Sequence, residues 1–197
     1  MRRAFLKVEL RDRIAELLST QGATVKKAEL IGPKNDLPCD IELGLAEGMD
    51  RRYRVFVWSV AHGGKSRAQG EYRIQTKLKA ERRLSVQEGT LLLLGYYDEA
   101  IDIAGRECGN SPPLGMKVFV AWNPVNHLRV GKSSSCQVSF DILLEAHLHG
   151  VAVAERTLSG GLTECVFAFR PSRLLRYFDQ AAGGHDLVTS TKLSRGT

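Results

Sequence analysis

A two-residue period in hydrophobicity begins in residues 53–78, YRVFVWSVAHGGKSRAQGEYRIQTKL. Apolar and polar side chains alternate in residues 53–60 and again in residues 71–78, and this pattern predicts two β-strands. The segment between them contains a histidine, two adjacent glycines and two cations, which is typical of a loop. We therefore expect a strand–loop–strand unit, in the simplest case an ordinary hairpin with one face in water.

The second strand of this unit has a polar face and an apolar face, because side chains alternate across a strand. The polar face carries Glu71, Arg73, Gln75 and Lys77, and the core face carries Tyr72, Ile74, Thr76 and Leu78. The adjoining loop adds His62, Gly63, Gly64, Lys65 and Arg67. Glycines allow close backbone approach to a ligand, and their amides and the two cations suit an anion. Because Arg and Gln can also reach guanine and adenine edges, this loop and strand are predicted to contact DNA.

Positive charge is concentrated in one part of the chain. The whole protein has a formal net charge of +6 and a sequence pI of about 9.3. Residues 51–83 contain ten Lys and Arg against two Glu, a net charge of +8. Lys and Arg release counterions when they meet phosphates, so this segment is expected to attract polyanions. A solvated basic surface without a partner is the alternative.

A second polar region begins where the predicted strand at residues 117–122 ends. Its candidate DNA contacts are Trp122, Asn123, His127, Arg129, Lys132, Ser133, Ser134 and Gln137. Hydroxyls, amides and cations on loops are the groups that contact phosphates and fix the register of a protein on DNA. Trp58 and Trp122 could each stack on an unstacked base, but burial in the core is the simpler expectation for both.

A magnesium-dependent nuclease of the acid–acid–lysine type is the enzymatic alternative. Such enzymes hold Mg²⁺ with carboxylates on neighbouring strands, and a lysine polarises the attacking water. The candidate residues are Asp40, Glu71, Gln75 and Lys77. The usual Glu-x-Lys spacing is absent, because the second residue after Glu71 is Arg73 and only a Gln-x-Lys substitute follows. We expect no metal or other cofactor outside this alternative.

The rest of the pattern predicts a β-rich middle flanked by helices. A helix is expected in residues 3–18, and residues 23–50 are expected to form a loop with short strand pieces. Further strands are predicted at residues 91–95, 100–104, 117–122, 135–139, 151–157 and 164–170, and helices from Ser139 or Asp141 to Gly150 and over residues 171–178. Crossover helices are missing between most strands, which favours antiparallel pairing. We predict an α+β fold with a curved, half-open, barrel-like sheet of mainly antiparallel strands.

One domain with short appendages is expected for a chain of 197 residues. It would comprise an N-terminal helix in residues 1–22, a β-rich nucleic-acid-recognition domain in residues 23–180 and a flexible tail in residues 181–197. No apolar stretch is long enough to cross a membrane. The four cysteines are scattered and have no close histidine partner, which argues against a zinc site and a disulfide scaffold. We expect reduced thiols in a cytoplasmic protein.

Six segments follow one another along the chain in an order that is similar to that of a known domain family: YRVFVWSVAHGG, EYRIQ, LLLLGYYDEAIDIAG, VFVAWNP, SSSCQVSF and VFAFRPSRLLRYF. With them the chain resembles, over roughly residues 50–180, an uncharacterised domain that lies ahead of nuclease domains, often of the HNH type, in bacterial restriction-like proteins. The resemblance implies a DNA-recognition module that reads a specific site or a modified base. No HNH-type cluster follows Phe178, where His185 stands alone. The cleavage half is therefore absent, supplied by a partner or not included in this sequence.

These observations favour a DNA-binding recognition module of a restriction–modification or phage-defence system, without catalysis of its own. Its expected partners are double-stranded DNA and a nuclease domain or subunit. A protein-interaction domain is a further alternative. Motifs typical of nucleotide-binding proteins, dinucleotide-binding enzymes and serine hydrolases do not occur in the sequence.

Overall fold

The structure, a computed structural model, describes residues 4–32, 36–44, 50–62, 70–78, 89–102 and 114–194. Its strands are β1 (Thr24–Gly32), β2 (Asp36–Gly44), β3 (Asp50–Ser59), β4 (Ala61–His62), β5 (Glu71–Lys77), β6 (Thr90–Asp98), β7 (Lys117–Trp122), β8 (Ser133–Ser139), β9 (Val151–Thr157) and β10 (Thr163–Phe169). Its α-helices are α1 (Lys7–Thr20), α2 (Pro124–His127), α3 (Phe140–His149), α4 (Leu174–Ala181) and α5 (Ser190–Ser194). Short 3₁₀ helices lie at Pro171–Arg173 and His185–Leu187.

The described strands form two sheets. Seven strands pair in the order β1-β2-β3-β6-β7-β10-β9, and three pair in the order β4-β5-β8. All neighbouring strands run antiparallel except β3 and β6, between which the chain passes through the smaller sheet. The predicted α+β class with mostly antiparallel pairing is confirmed. The described strands form no closed barrel, so the curved, half-open barrel form stays a prediction.

The strands predicted at residues 53–60 and 71–78 exist, but the expectation that they form a hairpin is wrong. β3 lies in the large sheet between β2 and β6, whereas β5 lies in the small sheet between β4 and β8. Three consecutive side chains of β3, Val55, Phe56 and Val57, are fully buried. A strand that is apolar on both faces needs cover on both faces, and this favours a central position in a sheet.

The segment at residues 23–50 contains two nine-residue strands, which are longer than the short strand pieces expected within a loop. In β2, the side chains of Leu37, Cys39, Ile41 and Leu43 are buried, so the strand follows the two-residue period despite its proline. Pro38 lies beside the irregularity in the β1–β2 ladder and before the first β2–β3 pair, Cys39 with Val55. A proline without an N–H is tolerated at such a position.

Several later predictions are confirmed. β9 and β10 form an antiparallel hairpin, and α3 begins after Ser139, whose hydroxyl accepts a hydrogen bond from the Ile142 amide at 3.4 Å. The helix ends at Gly150, whose φ of 89° is a conformation that favours glycine. β6 extends to Asp98, beyond the strand predicted at residues 91–95. Of the strand predicted at residues 100–104, residues 100–102 form no strand and the rest lies outside the described residues.

Helices and the small sheet cover the large sheet. α1 buries Leu10, Ile14 and Leu18, and each such side chain contributes about 1.5–3 kcal/mol on full burial. The small sheet meets the large one through Tyr72, whose ring lies edge-on to Tyr97 with 5.2 Å between centroids. None of the helices in the described ranges is long and apolar enough to cross a bilayer.

The segment predicted as a tail packs on the body of the protein as far as residue 194. His185, Val188 and Leu193 are buried there. The His185 ring contacts Tyr177 of α4 through a 3.0 Å hydrogen bond between Nδ1 and the hydroxyl. The division of the chain into residues 1–22, 23–180 and 181–197 stays a prediction.

Candidate nucleic-acid interface

Eight side chains of β5 and β8 lie on one face of the small sheet, which we call the ribbon face. Residues paired across an antiparallel ladder share a face. The ribbon face therefore consists of Glu71, Arg73, Gln75, Lys77 and their partners Ser139, Gln137, Ser135 and Ser133. On the opposite face, Tyr72, Ile74, Thr76 and Leu78 are buried, which confirms the predicted core set.

The two ends of the ribbon face differ in how strongly they are tied to the protein. At one end, Gln137 Nε2 donates to Glu71 Oε1 at 3.1 Å, and the Arg156 guanidinium donates to the Gln137 carbonyl and side-chain oxygens at 3.3 Å. At the other end, Gln75, Lys77 and Ser133 are exposed, with one 3.1 Å hydrogen bond from Gln75 Nε2 to Ser133 Oγ. A ligand has direct access to the second end.

The exposed end carries cations without carboxylate partners. Lys77 lies on the ribbon face, and Arg129 and Lys132 lie in the segment that leads into β8, where all three are exposed. Arg73 is half-buried on the same face. Within the described part of the chain, no Asp or Glu forms an ion pair with any of these four cations. Exposed, unpaired Lys and Arg are the groups that neutralise phosphates.

The arginines of β3, by contrast, are paired. Arg54 donates two hydrogen bonds of 2.8 Å to the carboxylate of Asp40, its partner in register on β2. Arg52 lies 3.3 Å from Glu42 and Arg51 lies 3.3 Å from Asp179. The positive charge counted along residues 51–83 is therefore reduced in the folded protein by acids from other elements. The carboxylate also raises the pKa of Arg54 through its hydrogen bonds.

Part of the predicted loop contact cannot be placed. Gly63, Gly64, Lys65 and Arg67 lie outside the described residues. His62, at the edge of that gap, is buried on the core face of the small sheet, where its ring lies edge-on to Tyr72 with 5.5 Å between centroids. In this structure the imidazole of His62 is not on the ribbon face.

Trp122 and Asn123 have structural contacts. Trp122 is fully buried and its indole N–H donates to the Gln137 carbonyl at 3.2 Å. It packs over Gly95, where an added Cβ would lie 2.9 Å from the ring, so Gly95 provides the space that the indole fills. Asn123 caps α2 by accepting from the Val125 amide and donates to Asp186, both at 3.0 Å. Trp122 lies in the core, the simpler of its two expected positions.

A buried polar cluster lies behind β8. His127 Nε2 donates to Glu164 of β10 at 2.8 Å, and Nδ1 lies 2.9 Å from Ser134 Oγ. Asn126 donates to the same carboxylate at 3.2 Å, and Arg156 lies 3.8 Å from it. His127 and Ser134, predicted as DNA contacts, are brought together here beneath the surface. The side chain of His127 is only 3% exposed.

Glu164 and Arg156 were not among the predicted site residues. Glu164 is in phase with the buried Val166 and Ala168 on β10, so the two-residue period places a carboxylate on the core face. That phase is the sequence signal that could have found it. Burial by itself would raise the pKa of Glu164, but the hydrogen bond and charge of His127, the Asn126 hydrogen bond and the Arg156 charge together hold the pKa below its usual value.

The nuclease candidates are not brought together by the fold. Asp40 lies on β2 of the large sheet and Glu71 on β5 of the small sheet. Asp40 is engaged by Arg54, and Glu71 accepts from Gln137. Gln75 and Lys77 share a face with Glu71 but not with Asp40. In the described ranges, no group of three or more His, Cys, Asp and Glu side chains could hold a metal ion.

Comparison with known proteins yields one family. No curated protein and no solved structure matches the chain. A family model described as methylase-associated X1 matches residues 51–178, a span that includes β3 except its first residue, the whole ribbon face and the buried polar cluster. The description is consistent with a domain associated with restriction–modification systems. Because the match covers more than half of the sequence, the chain belongs to the methylase-associated X1 (MTaX1) family.

Proposed function

We propose that this chain is a DNA-binding recognition module of a restriction–modification or phage-defence system. The exposed end of the ribbon face supports the proposal most strongly, because it combines unpaired cations with amide and hydroxyl groups on a regular strand pair. Cations of this kind supply affinity for the phosphate backbone, and side-chain amides on a strand can reach base edges. The family description, methylase-associated, supports the association with restriction–modification.

The residues fall into two roles under this proposal. Lys77, Arg129 and Lys132 contact phosphates, together with Lys65 and Arg67 of the loop predicted from the sequence. Gln75 and Ser133 approach the bases in a groove of the DNA. Arg73 reaches the same DNA groove from the half-buried part of the ribbon face. Gln137, His127 and Ser134 act indirectly by holding β8 in place, because their polar groups are engaged inside the protein.

Duplex binding at two salt concentrations tests the proposal. Fluorescence anisotropy with a labelled duplex should show affinity that falls steeply between about 50 mM and about 200 mM salt, since each phosphate contact adds roughly one unit to the slope of log K against log salt. Negligible binding at both salt concentrations would contradict the proposal and favour a protein-interaction domain.

A magnesium-dependent nuclease is tested alongside with the same pure protein. Plasmid DNA is incubated with Mg²⁺ or Mn²⁺, and Glu71→Ala serves as the control for cleavage by the candidate carboxylate. Cleavage by the wild type that this variant lacks would favour the nuclease. Binding without cleavage is the result that we expect, with the nuclease domain or subunit supplied by a partner.

A further inference from the structure

We propose that Gln75 reads an adenine in the major groove and that methylation of this adenine at N6 blocks the contact. The inference rests on the DNA-binding function proposed above and concerns what that site recognises. It would make the chain a sensor of adenine methylation, with unmethylated duplex DNA as the preferred ligand. Three features of the structure support it: the width of the strand pair, the state of the Gln75 amide and the unpartnered hydroxyl of Ser135 beside it.

The strand pair around Gln75 has the width that a major groove accepts. β4 pairs only with Tyr72 and Arg73, so from Ile74 to Lys77 the small sheet is two strands wide in the described residues. Paired strands lie about 4.8 Å apart. The major groove of B-DNA is about 12 Å wide and admits a two-stranded ribbon. Gln75 lies in the middle of this two-stranded part and is exposed.

One hydrogen bond restrains the amide of Gln75 and leaves its other hydrogen-bonding groups available. Its Nε2 donates to Ser133 Oγ at 3.1 Å, which restrains the side chain over β8. An amide nitrogen carries two protons, so one N–H stays available, and Oε1 accepts no hydrogen bond from the described residues. One N–H and one carbonyl oxygen are what a glutamine uses to bind adenine N7 and N6 together. Ser133 is thus a positioning residue.

A second hydroxyl, that of Ser135, lies beside Gln75 on the ribbon face. Ser135 is the partner of Gln75 in the β5–β8 register. Its Oγ is buried and has no hydrogen-bond partner among the described residues. A buried hydroxyl without a partner is costly and calls for an explanation. The β5–β8 pair is therefore incompletely satisfied at Gln75, where the proposal places the base.

Methylation of adenine interferes with this contact for a geometric reason. Adenine N6 has two hydrogens, of which one is bound in the Watson–Crick pair and the other points into the major groove, where a glutamine oxygen accepts it. A methyl group that leaves the base pair intact must replace the groove-facing hydrogen. The methyl then occupies the position of the Gln75 oxygen and removes its donor. The contacts of Lys77 and Lys132 with phosphates are unaffected by the same change.

The experiment has two steps and uses the full chain. First, the wild type and Gln75→Ala each select duplexes from a random pool. Second, anisotropy measures binding of the selected duplex with adenine or N6-methyladenine at the preferred position. The wild type should bind the methylated duplex between about 5-fold and about 100-fold more weakly, because a bidentate base contact is lost. Gln75→Ala should bind both duplexes equally.

Two matched variants separate base reading from backbone binding. Ser133→Ala should reduce the methylation ratio without abolishing binding, since it frees the Gln75 amide. Lys77→Ala should weaken binding to both duplexes by the same factor and keep the ratio.

Three outcomes overturn the inference. The first is selection by the wild type of duplexes without a preferred adenine, the second is equal binding of the two duplexes by the wild type, and the third is an unchanged methylation ratio in Gln75→Ala. In each of these cases duplex binding persists, so the DNA-binding function stands. Failure of the wild type to bind any duplex overturns that function as well.

Discussion

β3 and the ribbon face are both rich in positive charge in the sequence, but their cations have different neighbours in the folded protein. The β3 arginines Arg51, Arg52 and Arg54 each lie within ion-pair distance of a carboxylate from another part of the chain. Lys77 and Lys132 have no such partner in the described ranges. Cationic side chains therefore stabilise the protein in one place and are available to a ligand in the other.

Strand order explains the difference. β3 is a central strand, and its neighbour β2 presents Asp40 and Glu42 directly across from Arg54 and Arg52. β5 is paired with β8, which presents serines and Gln137 instead. Opposite charges across a ladder attract one another, whereas hydroxyls leave the cation unneutralised. Net charge along a segment is therefore a poor guide to a binding surface until the neighbouring strands are known.

The largest expected effect concerns Glu164 of the buried polar cluster, whose side chain is 1% exposed. Glu164→Ala should lower the free energy of unfolding by about 3–5 kcal/mol, because His127 and Arg156 would lose their carboxylate in a buried site. Urea unfolding at neutral pH measures this change. Lys77→Ala is the matched control and should change stability by less than about 0.5 kcal/mol. Equal losses in the free energy of unfolding would show that the paired charge of Glu164 stabilises the protein no more than the unpaired charge of Lys77.

The next effect is on DNA affinity. Lys77→Ala combined with Lys132→Ala should weaken duplex binding roughly tenfold and reduce the salt slope by about two, because two phosphate contacts are lost. Arg51→Ala combined with Arg52→Ala removes the same charge from β3 and should leave the salt slope unchanged. A larger loss of duplex affinity in the β3 double variant than in the lysine double variant would show that β3, and not the ribbon face, supplies the phosphate contacts.

A smaller effect separates the ion pairs of β3 from each other. Arg54→Leu should lower the free energy of unfolding by about 1 kcal/mol, since two charge-assisted hydrogen bonds to the partly buried Asp40 are lost. Arg52→Ala should cost less than about 0.5 kcal/mol, because the Arg52 side chain is 59% exposed. Thermal unfolding of the two variants tests this order, and neither should change DNA affinity.

The smallest effect is the pH dependence carried by Glu164. Its pKa is lowered in the folded protein, so its ionised form contributes stability that is present above the ordinary pKa of 4.5 and is lost as the pH falls through the lowered value. Urea midpoints measured downward from pH 5 should therefore fall more steeply for the wild type than for Glu164→Gln. Parallel curves for the two proteins would show that the cluster does not hold the carboxylate ionised.

Local pattern predicted much of the local structure. The two faces of β5, the β9–β10 hairpin, the Ser139 cap and the end of α3 at Gly150 follow from side-chain alternation and capping preferences. The alternation in β2 was recognised only as a short strand piece, because the prolines, glycines and aspartates of residues 23–50 favoured a loop around it. Of the residues predicted to contact DNA, Gln75, Lys77 and Ser133 are exposed on the ribbon face, whereas Trp122 and His127 are buried.

Amino-acid order alone was sufficient for the α+β class, for the two faces of each strand and for a surplus of cations, because these properties depend on neighbouring residues. Which strands pair depends on contacts between residues far apart in the chain. Strand pairing in turn decides which cations meet a carboxylate. Glu164 meets His127 and Asp40 meets Arg54 only after the sheet order is established. Pairing energies of this kind are set by distance and burial, so only the folded structure separates the cations that hold the protein together from those that face a ligand.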